Sequence, residues 1–259
     1  YFFYFILFSC FKCFIDKPDK VFIYHRTTLL IIYLIKFFFK GEIIYQNFDY
    51  NPEVKCNSLF SKFINWSELF LSKYVDLFIF SHPKRAQIFS KNSKINKNKT
   101  IYVYNSLRIK PFTKKTKNKK NMIWQGSIGP GHSLINIIRS FVYLDEEIKL
   151  RIFGKIEDYL NFNKMKKLIK ELNLEKRVSI YNFVPEHKIK KELKEAYVAI
   201  ALYEPIITSH KYMAGASAKI NEYLANSLPV VVSNNSDFLN FTIKFKASIS
   251  VCIKDPKSI

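Results

Sequence analysis

The second half of the chain alternates short apolar runs with amphipathic segments. Strand-like runs cover residues 121–125, 148–154, 177–183, 198–203 and 229–233, and helical patterns cover residues 134–144, 158–172 and 186–195. Regular alternation of this kind predicts a doubly wound α/β domain around a parallel sheet. Ligands of such domains bind beyond the carboxyl ends of the strands, so residues that directly follow the strands are candidates for a site.

The first half of the chain shows a looser version of the same pattern. It predicts strands at residues 20–25, 42–46, 76–80 and 101–105, with an apolar helix at 28–39 and a long segment at 58–74. A charged run with few apolar residues then follows, which is typical of a linker. We therefore predict a companion domain over residues 1–105, a basic hinge linker over 106–120, and a second domain over 121–259.

A glycine-rich turn directly follows the first strand of the second domain. Gly126, Gly129 and Gly131 are three of the six glycines in the protein, and a helical pattern begins just after them. Glycine lets backbone N–H groups approach an anion closely, and a following helix presents its positive end. Glycines also form tight turns that bind nothing, so this motif is weak by itself.

A cation and a carboxylate precede the last strong strand. Lys219 and Glu222 are three residues apart and share one face of a predicted helix. Lysine suits a phosphate and glutamate suits sugar hydroxyls, so the pair fits a phosphorylated, ribose-bearing ligand. The alternative is an ordinary surface ion pair. Gly154 and Glu204 follow other predicted strands and fall at the same edge of the sheet.

The order of motifs in this half resembles a known family. The runs "RIFG", "RVSIYNFVP", "AYVAIALYEP" and "SAKINEYLANSLPVVVS" are similar to the nucleotide-sugar-binding domain of GT-B glycosyltransferases, especially the retaining family four. The resemblance implies that Glu222 holds the donor ribose and that Lys219 neighbours the pyrophosphate. It also implies that backbone around the glycine turn approaches the phosphates, in a donor site with the further members Gly126, Ser127, Gly129, Gly131, Gly154, Val184 and Glu204.

The first half resembles the acceptor domain of the same enzymes. "VDLFIFSHPKRAQIF" and "YVYNS" are similar to the strand-loop-helix and pre-hinge motifs of that domain. His25 ends the first visible strand, and the resemblance makes it a candidate to contact acceptor or donor phosphate; the alternative is a structural histidine. The chain departs from the family pattern at Ser227 and Asn182, where glycines are usual, and at Ala214, where a carboxylate is usual.

The implied fold is GT-B, with two Rossmann-like doubly wound domains facing a cleft. At 259 residues the chain is short for two complete domains of this kind, so we expect a fragment, with the N-terminal domain truncated at its start and the second domain truncated at its end.

Composition points to an anionic partner. Forty-two Lys and Arg residues against 21 Asp and Glu residues give a net charge of +21, part of which an AT-rich genome would produce. The aromatics fall mostly where a core is expected, which argues against nucleic acid. The opening run YFFYFILFSCFKCFI is too short to span a bilayer, so it indicates either peripheral docking on a membrane or a buried helix.

The resemblance to GT-B enzymes implies a glycosyltransferase that moves a sugar from a nucleotide-diphosphate sugar to a glycan or lipid-linked acceptor. We expect it in cell-surface polysaccharide biosynthesis and in the cytoplasm, either free or peripheral on the inner face of the cell membrane. No cofactor and no metal are required, because the departing diphosphate is stabilised by Lys219 and backbone amides. The alternatives are a sugar-nucleotide epimerase of the same fold and a noncatalytic descendant that binds membrane or glycan.

Overall fold

The computed structural model describes residues 1–52, 58–106 and 120–259. The chain forms two compact units, one of residues 1–104 with 207–212 and the other of residues 105–206 with 213–259. Almost all of the predicted linker, residues 106–120, lies outside the described residues and stays a prediction.

The first unit is an α/β layer around four parallel strands. The strands pair in the order β1-β2-β3-β4. Its elements are α1 (Phe2–Asp16), β1 (Lys20–Tyr24), α2 (Ile32–Ile35), β2 (Glu42–Asn47), α3 (Leu59–Leu71), β3 (Leu77–Phe80), α4 (Pro83–Ser93) and β4 (Thr100–Tyr102). All four predicted strands are present, and the last one is shorter than expected because its ladder to β3 ends at Tyr102.

The predicted helix at residues 28–39 is wrong in form. A 3₁₀ turn at Thr28–Ile31 leads into a single α-helical turn, α2. Leu29, Ile32 and Ile35 are fully buried, so the apolar residues reach the core without a longer helix. The isoleucines are branched at Cβ and lose side-chain freedom in a helix, which disfavours its extension.

A buried polar cluster joins β2 to α3 in the first unit. The Glu68 carboxylate accepts hydrogen bonds from the Tyr45 hydroxyl at 2.5 Å and the Asn47 side-chain amide at 2.7 Å. Burial raises the pKa of Glu68, and it raises the pKa of Tyr45 well above its usual value.

The first helix exposes most of its apolar side chains. Only Ile6 of α1 is buried, while Phe3, Tyr4 and Leu7 are more than 60% exposed. The buried-helix alternative for this run is therefore wrong. Among the helices that the structure describes, none is both long and apolar enough to cross a bilayer.

The second unit contains a six-stranded parallel sheet. Its strand order is β10-β9-β8-β5-β6-β7, with every pair parallel. The elements are β5 (Asn121–Gln125), α5 (Leu134–Ser140), β6 (Lys149–Gly154), α6 (Tyr159–Glu171), β7 (Val178–Asn182), α7 (Glu186–Glu195), β8 (Val198–Ala201), α9 (Ala218–Ala225), β9 (Val230–Ser233), α10 (Ser236–Phe245) and β10 (Ser248–Val251), with α8 (Thr208–Lys211) lying in the segment assigned to the first unit. The predicted strands and their alternation with helices are confirmed.

Strand order places a topological switch point between β5 and β8. The chain proceeds from β5 to β6 and β7 on one side, and from β8 to β9 and β10 on the other. The connections leaving the two central strands therefore diverge, which opens a crevice at their carboxyl ends. Neighbouring residues of β5 pack on opposite faces, with Ile123 in one apolar cluster and Trp124 in the other.

The segment at residues 207–212 is held within the first unit by polar contacts. The buried Arg85 guanidinium on α4 donates to the Ser209 carbonyl at 2.7 Å, and the Ser209 N–H donates to Asn51 Oδ1 at 2.7 Å. The Tyr212 ring stacks on His82, with the ring centroids 5.6 Å apart. Three separate contacts thus fix a six-residue segment.

Candidate functional site

Two glycines shape the carboxyl end of β5. Gly126 has a φ of 147° and donates its N–H to the Phe153 carbonyl at 3.0 Å. A Cβ on Gly154 would lie 1.7 Å from the Gly126 carbonyl oxygen. Gly154 is therefore required for close packing of β6 against the turn that leaves β5, whatever ligand the turn binds.

Helix α9 is attached to the end of β5 by two polar side chains. Ser217 caps the helix by accepting a hydrogen bond from the Ile220 N–H. The Gln125 backbone N–H donates to the buried Tyr223 hydroxyl at 2.8 Å, and Gln125 Nε2 donates to Glu222 Oε2 at 2.5 Å. The second contact fixes one oxygen of the Glu222 carboxylate at the switch point.

Lys219 places its ammonium between the two central strands. Although the residue is partly exposed, its Nζ atom is buried and has no hydrogen-bond or ion-pair partner among the described residues. Nζ lies 4.6 Å from the centroid of the Trp124 ring at the end of β5, and 4.9 Å from that of Tyr203, just beyond β8. Burial lowers the pKa of Lys219 from 10.5 to about 7.

The glycine turn and Glu204 form a neighbouring part of the same edge. The Ser133 N–H and hydroxyl both donate to Glu204 Oε1, at 3.2 and 3.0 Å, and the Glu204 N–H donates to the Gly131 carbonyl at 2.9 Å. A cavity of about 400 Å³ opens here. Its lining includes Gly129, Pro130, Gly131, Ser133, Asp158, Asn161, Lys164 and Glu204.

Most of the predicted site residues fall into two groups in the structure. Gly126 and Lys219 are adjacent, since a Cβ on Gly126 would meet Lys219 Nζ at 2.9 Å, and Glu222 lies one helical turn further along α9. Glu204, Gly129 and Gly131 line the cavity.

The remaining predicted residues have separate partners. Ser127 donates to Glu157 Oε1 at 2.9 Å, and Val184 packs against the apolar cluster that contains Ile220 and Tyr223. His25 lies in the first unit, exposed at the end of β1 with a φ of 70°, and its Nδ1 is 3.1 Å from the Thr27 hydroxyl.

Sequence reasoning missed three residues that build the site. Trp124 and Tyr203 supply the aromatic faces on either side of Lys219, and Gln125 restrains Glu222. Their positions at the ends of two predicted strands were a usable signal. Their pairing with α9 could not be predicted from the sequence, because 98 residues separate Gln125 from Tyr223.

Two positions that depart from the family pattern have defined surroundings in the structure. Ala214 is buried in the apolar cluster around α9, and its N–H donates to Asp237 Oδ2 at 2.8 Å. Ser227, at a usual glycine position, has a φ of 55° and thus adopts the left-handed conformation that glycine favours.

The second half of the chain matches a known protein family. The family profile described as glycosyl transferases group 1 matches residues 105–258, which is more than half of the chain. The chain belongs to this family. Its second unit, with the switch point and the Lys219/Glu222 helix, is the part that the profile covers. No curated protein matches the chain significantly.

Solved structures of GT-B glycosyltransferases share the fold. Anabaena HepE, in complex with UDP and glucose, matches with a TM-score of 0.72 at 12% identity, over 99% of this chain and 68% of that one. Sucrose-phosphate synthase from Thermosynechococcus elongatus matches at 0.71 and 13%, over 98% and 65% of the two chains. A glycosyltransferase from Rickettsia africae matches at 0.70 and 14%, over 98% and 67%.

These matches confirm the predicted GT-B fold class. The chain spans about two thirds of the length of the three relatives.

Proposed function

We propose that the protein binds a nucleotide-diphosphate sugar in its second unit and transfers the sugar to a glycan or lipid-linked acceptor. The observation that carries the proposal is the Lys219 ammonium, which is buried at the β5/β8 switch point one helical turn from Glu222 and has no carboxylate partner among the described residues. A diphosphate supplies the missing countercharge, and a ribose supplies hydroxyl donors for the carboxylate. Anabaena HepE, of the same fold, was crystallised with UDP and with UDP-glucose.

The chemistry follows from the charges of the site. Negative charge develops on the diphosphate as the bond to the sugar breaks, and a fixed cation beside it lowers the energy of that transition state. Lys219 provides this cation, assisted by backbone N–H groups of the turn at residues 126–131. Gln125 holds Glu222 in place, so the ribose meets a carboxylate that is already oriented. We propose retention of configuration at the transferred sugar, with neither metal nor cofactor taking part.

A titration of the full chain with UDP-glucose and GDP-mannose tests the donor site. Glu222→Ala is expected to weaken binding at least tenfold, because a hydrogen bond to a charged group contributes about 1.5–3 kcal/mol. Glu175→Ala, which removes an exposed carboxylate of the same unit, is the matched control and should bind like wild type. A folded wild type that binds neither donor would refute the proposal.

Transfer is tested separately from binding. The wild type should pass labelled sugar from the donor to an acceptor in a glycolipid or polysaccharide extract, and His25→Ala is expected to slow that step without weakening donor binding. An epimerase would instead convert the donor sugar with no acceptor present. Binding without turnover would favour a noncatalytic descendant, for which the buried Ala214 at the usual carboxylate position is the specific observation.

Peripheral contact with an anionic membrane on its cytoplasmic side is a further part of the proposal. Supporting it are the net charge of +21 and the exposed aromatics of α1 and α3, among them Phe3 and Trp66. Co-sedimentation with vesicles that contain about 30 mol% anionic lipid should exceed that with neutral vesicles. Replacing Phe3 and Tyr4 with serine should reduce it, and equal binding to both vesicle types would refute it.

A further inference from the structure

In the part of the chain that the structure describes, no group around Lys219 Nζ neutralises its charge. Two uncharged aromatic faces, Trp124 and Tyr203, flank Nζ, and the third neighbour is the backbone of Gly126. Aromatic faces attract a cation, but this attraction offsets only part of the hydration free energy that the ammonium loses on burial.

The other titratable groups at this edge have partners of their own. Glu222 accepts from Gln125 on β5, and Glu204 accepts twice from Ser133 in the turn. The His132 ring contacts the same two aromatic residues, with centroids 5.7 Å from Trp124 and 5.4 Å from Tyr203. The Tyr223 hydroxyl accepts from the Gln125 N–H. No carboxylate in the described residues forms an ion pair with Lys219.

A buried amine without a countercharge gives up its proton readily. Burial lowers the pKa of Lys219 to about 7, so in neutral solution the free site is a mixture of amine and ammonium. An anion that arrives beside Nζ reverses this effect, because a neighbouring negative charge raises the pKa of an amine.

We propose that donor binding is coupled to protonation of Lys219, so that the nucleotide-diphosphate sugar binds together with one proton taken from solvent onto the amine. The inference rests on the proposed function, since it takes the diphosphate to be the ligand. Gly126 is the point of access: it is partly exposed, and its missing side chain leaves Nζ covered there only by backbone. The proton leaves again with the departing nucleotide.

The coupling has a defined pH window. Below pH 7 Lys219 is already largely protonated in the free protein, so donor binding takes up few protons, about 0.1 at pH 6. At pH 8 the free amine is mostly neutral, and donor binding should take up about 0.9 proton. The dissociation constant should therefore rise about tenfold from pH 6 to pH 8 and about tenfold again by pH 9.

Calorimetry of the full chain with UDP-glucose, or with GDP-mannose if that is the donor that binds, measures the proton directly. A diphosphate diester lacks the monoester proton that titrates near pH 6, so uptake reports on the protein. The titrations at pH 8 are repeated in HEPES, Tricine and Tris, which differ in their enthalpy of ionisation. The slope of the observed binding enthalpy plotted against the ionisation enthalpy of the buffer gives the number of protons taken up per donor bound. Phosphate buffer is avoided because it competes for the site.

The possible outcomes distinguish failure of the proton coupling from failure of the proposed function. A slope near 0.9 at pH 8 and near 0.1 at pH 6 supports coupling, whereas tight binding with zero slope at pH 8 overturns it and leaves the donor site intact. No binding at pH 6, where the ammonium is charged, refutes the proposed function itself.

Two variants identify the group that takes up the proton. His132→Gln should keep the uptake at pH 8, and loss of uptake in that variant would move the proton to His132 and overturn the assignment. Lys219→Arg keeps a charge throughout this range, so any binding that it retains should be independent of pH between 6 and 9.

Discussion

Replacing Lys219 with methionine should stabilise the second unit at neutral pH. Burial lowers the pKa of the amine from 10.5 to about 7, so between these values the folded protein binds fewer protons than the unfolded chain. Stability therefore rises with pH across this window, and the cost of the buried charge is complete at and below pH 7.

The interval from 10.5 to about 7 corresponds to roughly 5 kcal/mol. This is an upper limit, because Lys219 is partly exposed and its two aromatic neighbours attract the ammonium. Replacement of buried charges by apolar side chains of similar size gives about 1–4 kcal/mol in other proteins. We expect the Lys219→Met protein to be about 2–4 kcal/mol more stable at pH 7, with the difference shrinking towards pH 10.

Tryptophan fluorescence can isolate the unit that contains the change. The protein has two tryptophans, Trp66 and Trp124, so in a Trp66→Phe background the signal comes only from β5. Urea unfolding at pH 6, 7, 8 and 9 then gives the free energy of unfolding of the second unit with lysine and with methionine at this position. Lys170→Met, at an exposed position of α6, is the control and should change stability by less than about 0.5 kcal/mol.

Equal stability of wild type and Lys219→Met at every pH would contradict the expected cost of burying the Lys219 ammonium. It would mean that the ammonium is solvated in the folded state as well as in the unfolded chain. A loss of stability that does not vary with pH would instead show that packing of the lysine stem outweighs the cost of its charge.

Substitutions at three further positions test the packing of the fold. Gly154→Ala should lower stability by about 3 kcal/mol or more, measured by thermal unfolding, because its Cβ would lie 1.7 Å from the Gly126 carbonyl oxygen. Glu68→Ala should cost about 3 kcal/mol in urea unfolding by leaving the buried Tyr45 hydroxyl without its acceptor, and Glu68→Gln should restore most of it. Ser227→Gly should add about 0.5–1 kcal/mol, because φ is 55° there; no gain in midpoint would contradict this.

Much of the second unit could be predicted from the sequence. All of β8 (VAIA) and the three valines of β9 that follow Pro229 are continuous apolar runs, and strands buried on both faces have this composition. Lys219 and Glu222 were expected on one helix face, and they do lie on α9. These features depend on neighbours within a few residues, so the local pattern is sufficient.

The first unit shows where the local pattern fails. The apolar residues from Thr28 to Phe39 suit a helix, yet α2 spans only Ile32–Ile35. The hydrophobicity of the opening run is compatible with a buried helix and with an exposed one, so it could not decide between them. Burial depends on which other elements cover a segment, and α1 is covered only at Ile6 and its near neighbours.

The alternation of strands and helices, the turn at Gly126 and the charged pair on α9 can be predicted from the sequence, because each depends on spacing along the chain. The environment of that pair depends on the tertiary fold. The parallel order that places β8 beside β5 brings Trp124 and Tyr203 to the two sides of Lys219, although 79 residues separate them in the sequence. Loss of hydration is a property of that assembled surrounding, and so the lowered pKa of Lys219 could not be predicted from residue type or spacing.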